Sequence, residues 1–147
     1  MSFTADLSRF VDKATGKVER VVRGVVIELG TRIIMRNPVG DTKYWKTKYP
    51  PKGYVGGRSR ANWQYNFGQM PTNVLEIVDT SGSATVKSLT SGVLGAPAAG
   101  IHWIANNVDY IQPLENGWSK NQAPNGMVRV TVLEFEQVVR EAANNVQ

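Results

Sequence analysis

From Thr4 to Arg36 the chain reads TADLSRFVDKATGKVERVVRGVVIELGTRIIMR, with apolar residues at Leu7, Val11, Ala14, Val18, Val21, Val25, Leu29 and Ile33. Steps of three and four place these side chains on one stripe of a helix. Thr4 suits the N-cap, and Asp6 falls in the first turn, where the helix dipole favours an anion. Asn37-Pro38 ends the helix, because a residue before proline avoids the α region. Such a helix is roughly 45 Å long at 1.5 Å per residue, more than a domain of this size needs to cover its core. Gly16, Gly24 and Gly30 each cost about 1 kcal/mol against alanine. The several valines add little intrinsic preference, so this helix depends on packing.

Residues 37–60, NPVGDTKYWKTKYPPKGYVGGRSR, hold three Pro, four Gly, six Lys or Arg and one acid, with Tyr44, Trp45, Tyr49 and Tyr54 interleaved. No period of 3.6 or 2 is visible, so the segment reads as a long basic arm or loop. SRANWQYNF then alternates Ala61, Trp63, Tyr65 and Phe67 with polar residues and predicts a strand. NVLEIVD, from Asn73 to Asp79, is a second, weaker strand candidate. A short helix is expected near 82–93, capped by Asp79, Thr80 or Ser81. GIHWIANN predicts another strand, with Ile101, Trp103 and Ala105 on one face and His102 and Ile104 on the other; Trp63 and Trp103 are expected in the core. Val128 onward fits either period; Pro124 just ahead of it is a helix-start signal, so a C-terminal helix is expected, its first turn open. The pattern predicts one α+β domain over residues 1–147. A long N-terminal helix, a shorter middle helix and a C-terminal helix pack on a small antiparallel sheet, with strands joined mainly through hairpins.

Charge is uneven along the chain. Residues 1–60 carry 13 Lys and Arg against 5 Asp and Glu, and residues 61–147 carry 4 against 7. A basic half and a mildly acidic half suit nucleic acid, an acidic partner, or head-to-tail self-association; a solvated basic helix face is the plainer alternative. The chain has no cysteine, which excludes a disulfide framework, a thiolate zinc site and a cysteine nucleophile, and suits a reducing cytoplasm. No apolar run is long enough to span a membrane, and MSFTADLSRF lacks the order of a signal peptide.

Catalytic patterns are scarce. His102 is the single histidine, too few for a histidine-rich metal site, and no glycine-flanked nucleophile elbow accompanies it. GYVGGRSR has clustered glycines but lacks the ending and the preceding strand of a phosphate loop. Asp109 and Glu115 share one segment without a readable pocket. Nothing here points to a catalytic residue, a cofactor or a metal, and the expectation is a non-enzyme.

Two stretches carry a resemblance: NPVGDTKYW…GGRSRANWQ and NNVDYIQPLENGWSKNQAPNGMVRVTVLEF. Together they resemble a family of small tail-completion, or neck, components of long-tailed bacteriophages. In that family a long helix ends in a turn like Asn37–Thr42, followed by an Arg-x-Asn-Trp strand like Arg60–Gln64. Later come stretches like Asn106–Tyr110, Leu114–Ser119 and Ala123–Met127. The order is the same and most of the chain is covered. There are two departures: Gly40 is inserted before Asp41, and the basic aromatic stretch Lys43–Gly56 has no counterpart.

The resemblance implies a virion structural protein, made in the host bacterial cytoplasm, that forms a six-fold or twelve-fold ring of itself at the head–tail junction. Its neighbours would be neck or connector, tail-terminator or tail-tube proteins, with DNA passing through without specific binding. On that reading Tyr110 and Trp118 are rigid interface anchors, and Asn116-Gly117 and Asn125-Gly126 make tight turns. Glu115 holds its loop by accepting hydrogen bonds. Tyr110 and Leu114 could equally cap the protein's own core. The arm's role lies outside the resemblance; by composition, Lys43, Tyr44, Trp45, Lys46, Lys48, Tyr49 and Tyr54 offer charge and contact area to an adjacent subunit. The alternative is a basic nucleic-acid-binding module using residues 43–60.

Overall fold

The computed structural model describes residues 3–44 and 51–146. It is α+β. Helix α1 spans Phe3–Arg36, a short 3-10 turn spans Thr42–Tyr44, and one helical turn, α2, spans Arg58–Ala61. Strand β1 (Gln64–Phe67), helix α3 (Ser83–Leu94) and strand β2 (His102–Ala105) follow, then α4 (Ile111–Glu115), α5 (Val128–Leu133) and α6 (Phe135–Asn145). The strands pair antiparallel, Gln64 opposite Ala105 and Phe67 opposite His102. They are joined through α3 rather than a hairpin.

A two-stranded sheet is marginal alone; here helices cover it. The core gathers Ile33 and Ile34 of α1, Trp63, Leu89 and Val93 of α3, and Ala123 and Met127 from the loop before α5. Gly30 is where α1 comes closest to Leu89: a Cβ there would lie 2.5 Å from a Leu89 methyl carbon. Gly92 does the same under the Tyr65 ring, at 2.7 Å.

Several expectations are corrected. Thr4 lies inside the first turn of α1 and is not its cap. The strand expected over residues 59–67 begins only at Gln64, because Gly57 (φ 109°) turns the chain into α2 and Asn62 Nδ2 returns to the Arg58 carbonyl at 2.8 Å. Residues 73–79 form no strand. Their backbone is held by side-chain amides instead: Asn62 accepts from the Leu75 N–H (2.7 Å) and donates to its carbonyl (3.1 Å), while Gln64 and Asn107 both donate to the Asn73 carbonyl. The middle helix lies where expected, but Gly82 precedes it (φ 82°); Asp79 reaches in to accept the Gly82 and Thr85 N–H groups at 3.0 and 2.8 Å.

The C-terminal helix is two helices. Thr131 donates its hydroxyl to the Met127 carbonyl (2.7 Å), a back-bond that bends helices. Glu134 at the elbow is taken by Arg32 and Arg36 of α1, at 2.7 and 2.6 Å. Trp63 is buried as expected, whereas Trp103 is only half-buried on the thin sheet.

Candidate interface

The end of α1 is tied down by polar groups. Asn37 is fully buried. Its Oδ1 accepts from Trp63 Nε1 at 2.8 Å, and its Nδ2 donates to Ser59 Oγ at 2.7 Å and to the Pro38 carbonyl. The Arg60 guanidinium donates to the carbonyls of Asn37 (2.8 Å), Met35 (3.1 Å) and Thr80 (2.7 Å), satisfying carbonyls the helix end leaves open. Asn106 donates to the Ser59 carbonyl at 2.7 Å, bringing the second stretch onto the first.

Glu115 closes the arrangement. Its carboxylate accepts the backbone N–H groups of Met127 (2.9 Å), Val128 (3.0 Å) and Arg129 (2.8 Å), the start of α5. Burial pushes its pKa up, but those three donors together outweigh burial and hold it below the usual carboxylate range. The reading of Glu115 as a hydrogen-bond acceptor that holds its loop fits this geometry. Gly117 and Gly126 both have positive φ and sit against the Pro124 backbone and Glu115, where no Cβ fits.

The two tied stretches bound an open groove of about 990 Å³. Tyr54, Tyr110 and Trp118 line it, with Val55, Arg58 and Leu114. Trp118 is 74% exposed, Tyr54 39% and Tyr110 37%; Trp118 stands nearly free in water, while the tyrosines form walls. Burial raises the Tyr110 phenol pKa. The Tyr54 hydroxyl occupies the space a Cβ at Gly40 would need. The absence of a side chain at Gly40 is therefore what lets the returning end of the arm approach so closely.

Lys43 lies at the groove's margin with Asp41, at 3.1 Å. Trp45, Lys46, Lys48 and Tyr49 lie outside the described residues, as does the side chain of Tyr44. Residues 51–60 do not hang free. Tyr54 N–H closes a turn on the Pro51 carbonyl, and Thr80 Oγ1 donates to the Gly56 carbonyl at 2.8 Å.

The geometry gives His102 a structural part. Its Nε2 lies 2.7 Å from the Ala98 carbonyl, which can only accept, so Nδ1 is the acceptor for the Tyr65 hydroxyl at 2.8 Å. Both nitrogens are occupied and neither meets a carboxylate. Among the described residues no three His, Asp or Glu gather around a common point, and no helix is long and apolar enough to cross a membrane.

Two exposed apolar surfaces stand apart from the groove, and of these the elbow between α5 and α6 was not singled out from the sequence. Val132, Leu133 and Phe135 at the α5–α6 elbow are 62%, 83% and 52% exposed. Leu7, Phe10, Val11 and Val18 of α1 are also exposed. The stripe continues into the buried half of the helix, and its excess length was the legible signal. Comparison with protein-family models, curated protein sequences and solved structures found no match for this chain.

Proposed function

We propose that this chain is a non-enzymatic structural subunit of a long-tailed phage, assembling as a ring at the head–tail junction. The observation that carries the reading is the exposed apolar stripe on the N-terminal half of α1. A chain working alone gains nothing by keeping such a stripe in water; a subunit buries it. The ordered resemblance of two stretches supplies the phage context. The tight tying of those stretches by Asn37, Arg60, Asn106 and Glu115 suits a surface that must match its neighbours without adjustment.

Charge supports the ring less than the uneven halves suggested. Arg32 and Arg36 of the basic half are already paired with Glu134, and Arg58 with Glu76. The same pairing weakens the nucleic-acid reading, which rests on the arm alone. Reconstruction of the virion tests the proposal: the expected result is this chain in a six-fold or twelve-fold ring between head and tail. A single copy per particle, or a position elsewhere, overturns it. Retention on DNA that collapses as salt rises would favour the nucleic-acid module instead.

A further inference from the structure

We infer that the N-terminal half of α1 is the surface through which copies of this chain pack on one another, in parallel and in register. This deepens the ring reading and rests on it. From Leu7 through Val11, Ala14, Val18 and Val21 to Val25 the apolar steps are four, three, four, three and four. That is an unbroken heptad spacing, the period at which helices wind on other helices. Among the described residues, its C-terminal end is the part covered within the chain. Val25 is buried, and α6 packs where Gly24 meets Ala142, then ends at Asn145. Toward the N-terminus Leu7, Val11 and Val18 are 50%, 51% and 62% exposed, and Phe10 beside them is 70% exposed. A helical extension of this length is marginal in water by itself and gains from burying such a stripe.

The edges of the stripe identify the occupant. At about 100° per residue, Asp12 and Glu19 lie on one flank of the stripe, with Arg23 beyond them, and Lys13, Lys17 and Arg20 on the other, where Asp6 is one acid among three bases. Two identical helices packed antiparallel bring like edges together, acid on acid and base on base. Packed in parallel, the acidic edge of each copy meets the basic edge of the next. Glu19, half-exposed, is 3.7 Å from the more covered Arg23 of its own helix, a long contact weak enough to exchange. Each copy then has one acidic and one basic neighbour, and parallel copies in register are related by rotation about an axis along the helices. That is the symmetry of a closed ring.

The test uses the full chain in solution and in assembled particles. Leu7→Asp with Val18→Asp should weaken self-association by about tenfold or more per side chain replaced. The circular dichroism and melting of the dilute chain should not change, because both positions lie outside the core. Lys13→Glu with Lys17→Glu, and separately Asp12→Lys with Glu19→Lys, should each weaken association, and all four together should restore it. The chain has no cysteine, so Arg9→Cys and Gly16→Cys, opposite the stripe and one heptad apart, accept single spin labels. Equal 9-to-9 and 16-to-16 distances, both shorter than the 9-to-16 distance between copies in a mixture of the two labelled chains, are expected; a 9-to-16 distance shorter than either means antiparallel packing and overturns the inference. So does a wild-type chain that stays monomeric at high concentration, or an oligomer indifferent to the Leu7 and Val18 replacements. A ring in the virion built equally well by the doubly substituted chain sinks this inference and spares the ring. Self-association through α1 in a protein found elsewhere in the particle does the reverse.

Discussion

At the scale of single residues, buried polar groups explain most of the motif. Asn37, Arg60, Asn62, Asn106 and Glu115 each take up backbone or side-chain groups that loops would otherwise leave buried and unpaired. Asn37→Ala strips a partner from Trp63 Nε1 and Ser59 Oγ. At about 1–3 kcal/mol per stranded group, it should lower the denaturant midpoint sharply. Trp63→Ala should cost about 3–5 kcal/mol, and Trp103→Ala distinctly less, since Trp103 is only half-buried. Equal losses for the two tryptophans in chemical denaturation would contradict that difference. Glu134 offers a pH test. Hydrogen bonds from Arg36 and then Arg32 lower its pKa from 4.5 to about 2. A carboxylate whose folded pKa is depressed adds stability that is complete above the unfolded value and fades as pH falls through the folded one. Glu134→Gln should therefore destabilise the chain at neutral pH, and the gap between variant and wild type should close between about pH 4.5 and 2. Parallel melting curves across that window decide it.

At the scale of elements, glycines separate helix propensity from packing. Gly24 sits where α6 crosses α1, and a Cβ there would meet Ala142 at 3.7 Å, an ordinary contact. Gly24→Ala should raise stability by about 0.5–1 kcal/mol through helix propensity. Gly92 lies under the Tyr65 ring, where the same addition comes to 2.7 Å. Gly92→Ala should lose about 1–3 kcal/mol to overpacking, despite the same gain in propensity. Thermal unfolding of the two variants reads the contrast directly. The elbow at Glu134 follows the same logic. The run from Val128 to Asn145 satisfies helix periodicity, but pairing to Arg32 and Arg36 and the Thr131 back-bond divide it in two.

For the whole molecule, the basic and acidic halves of the sequence meet inside one chain, along α1 and α6. Among the described residues the large apolar side chains left exposed include the N-terminal part of the α1 stripe, Leu133 and Phe135 at the elbow, and Trp118. Association through such surfaces should survive added salt, whereas steering by charge would fade. Removal of residues 43–56 tests the arm. If it serves assembly, particles carrying the deletion should yield fewer joined heads and tails than those with the intact chain. Equal yields by electron microscopy would take the arm out of the assembly.

Periodicity located α1, β2 and the second half of the strand expected over 59–67, each from local spacing of apolar residues, and α1 with the stop at Asn37-Pro38; the middle helix was read from a looser apolar scatter and a cap. The resemblance marked the tied stretches, and Glu115 was legible as an acceptor because an acid beside a tight turn has backbone N–H groups within reach. Three matters were settled only in three dimensions. Residues 73–79 have the composition of a strand, yet Asn62, Gln64 and Asn107 occupy their backbone groups. Part of the charge asymmetry is taken up within the chain, where Glu134 pairs with Arg32 and Arg36. The stripe from Leu7 to Ile33 looks uniform in sequence, but among the described residues only its C-terminal half is covered. Spacing says which residues share a face; what covers that face depends on contacts between segments far apart in the chain.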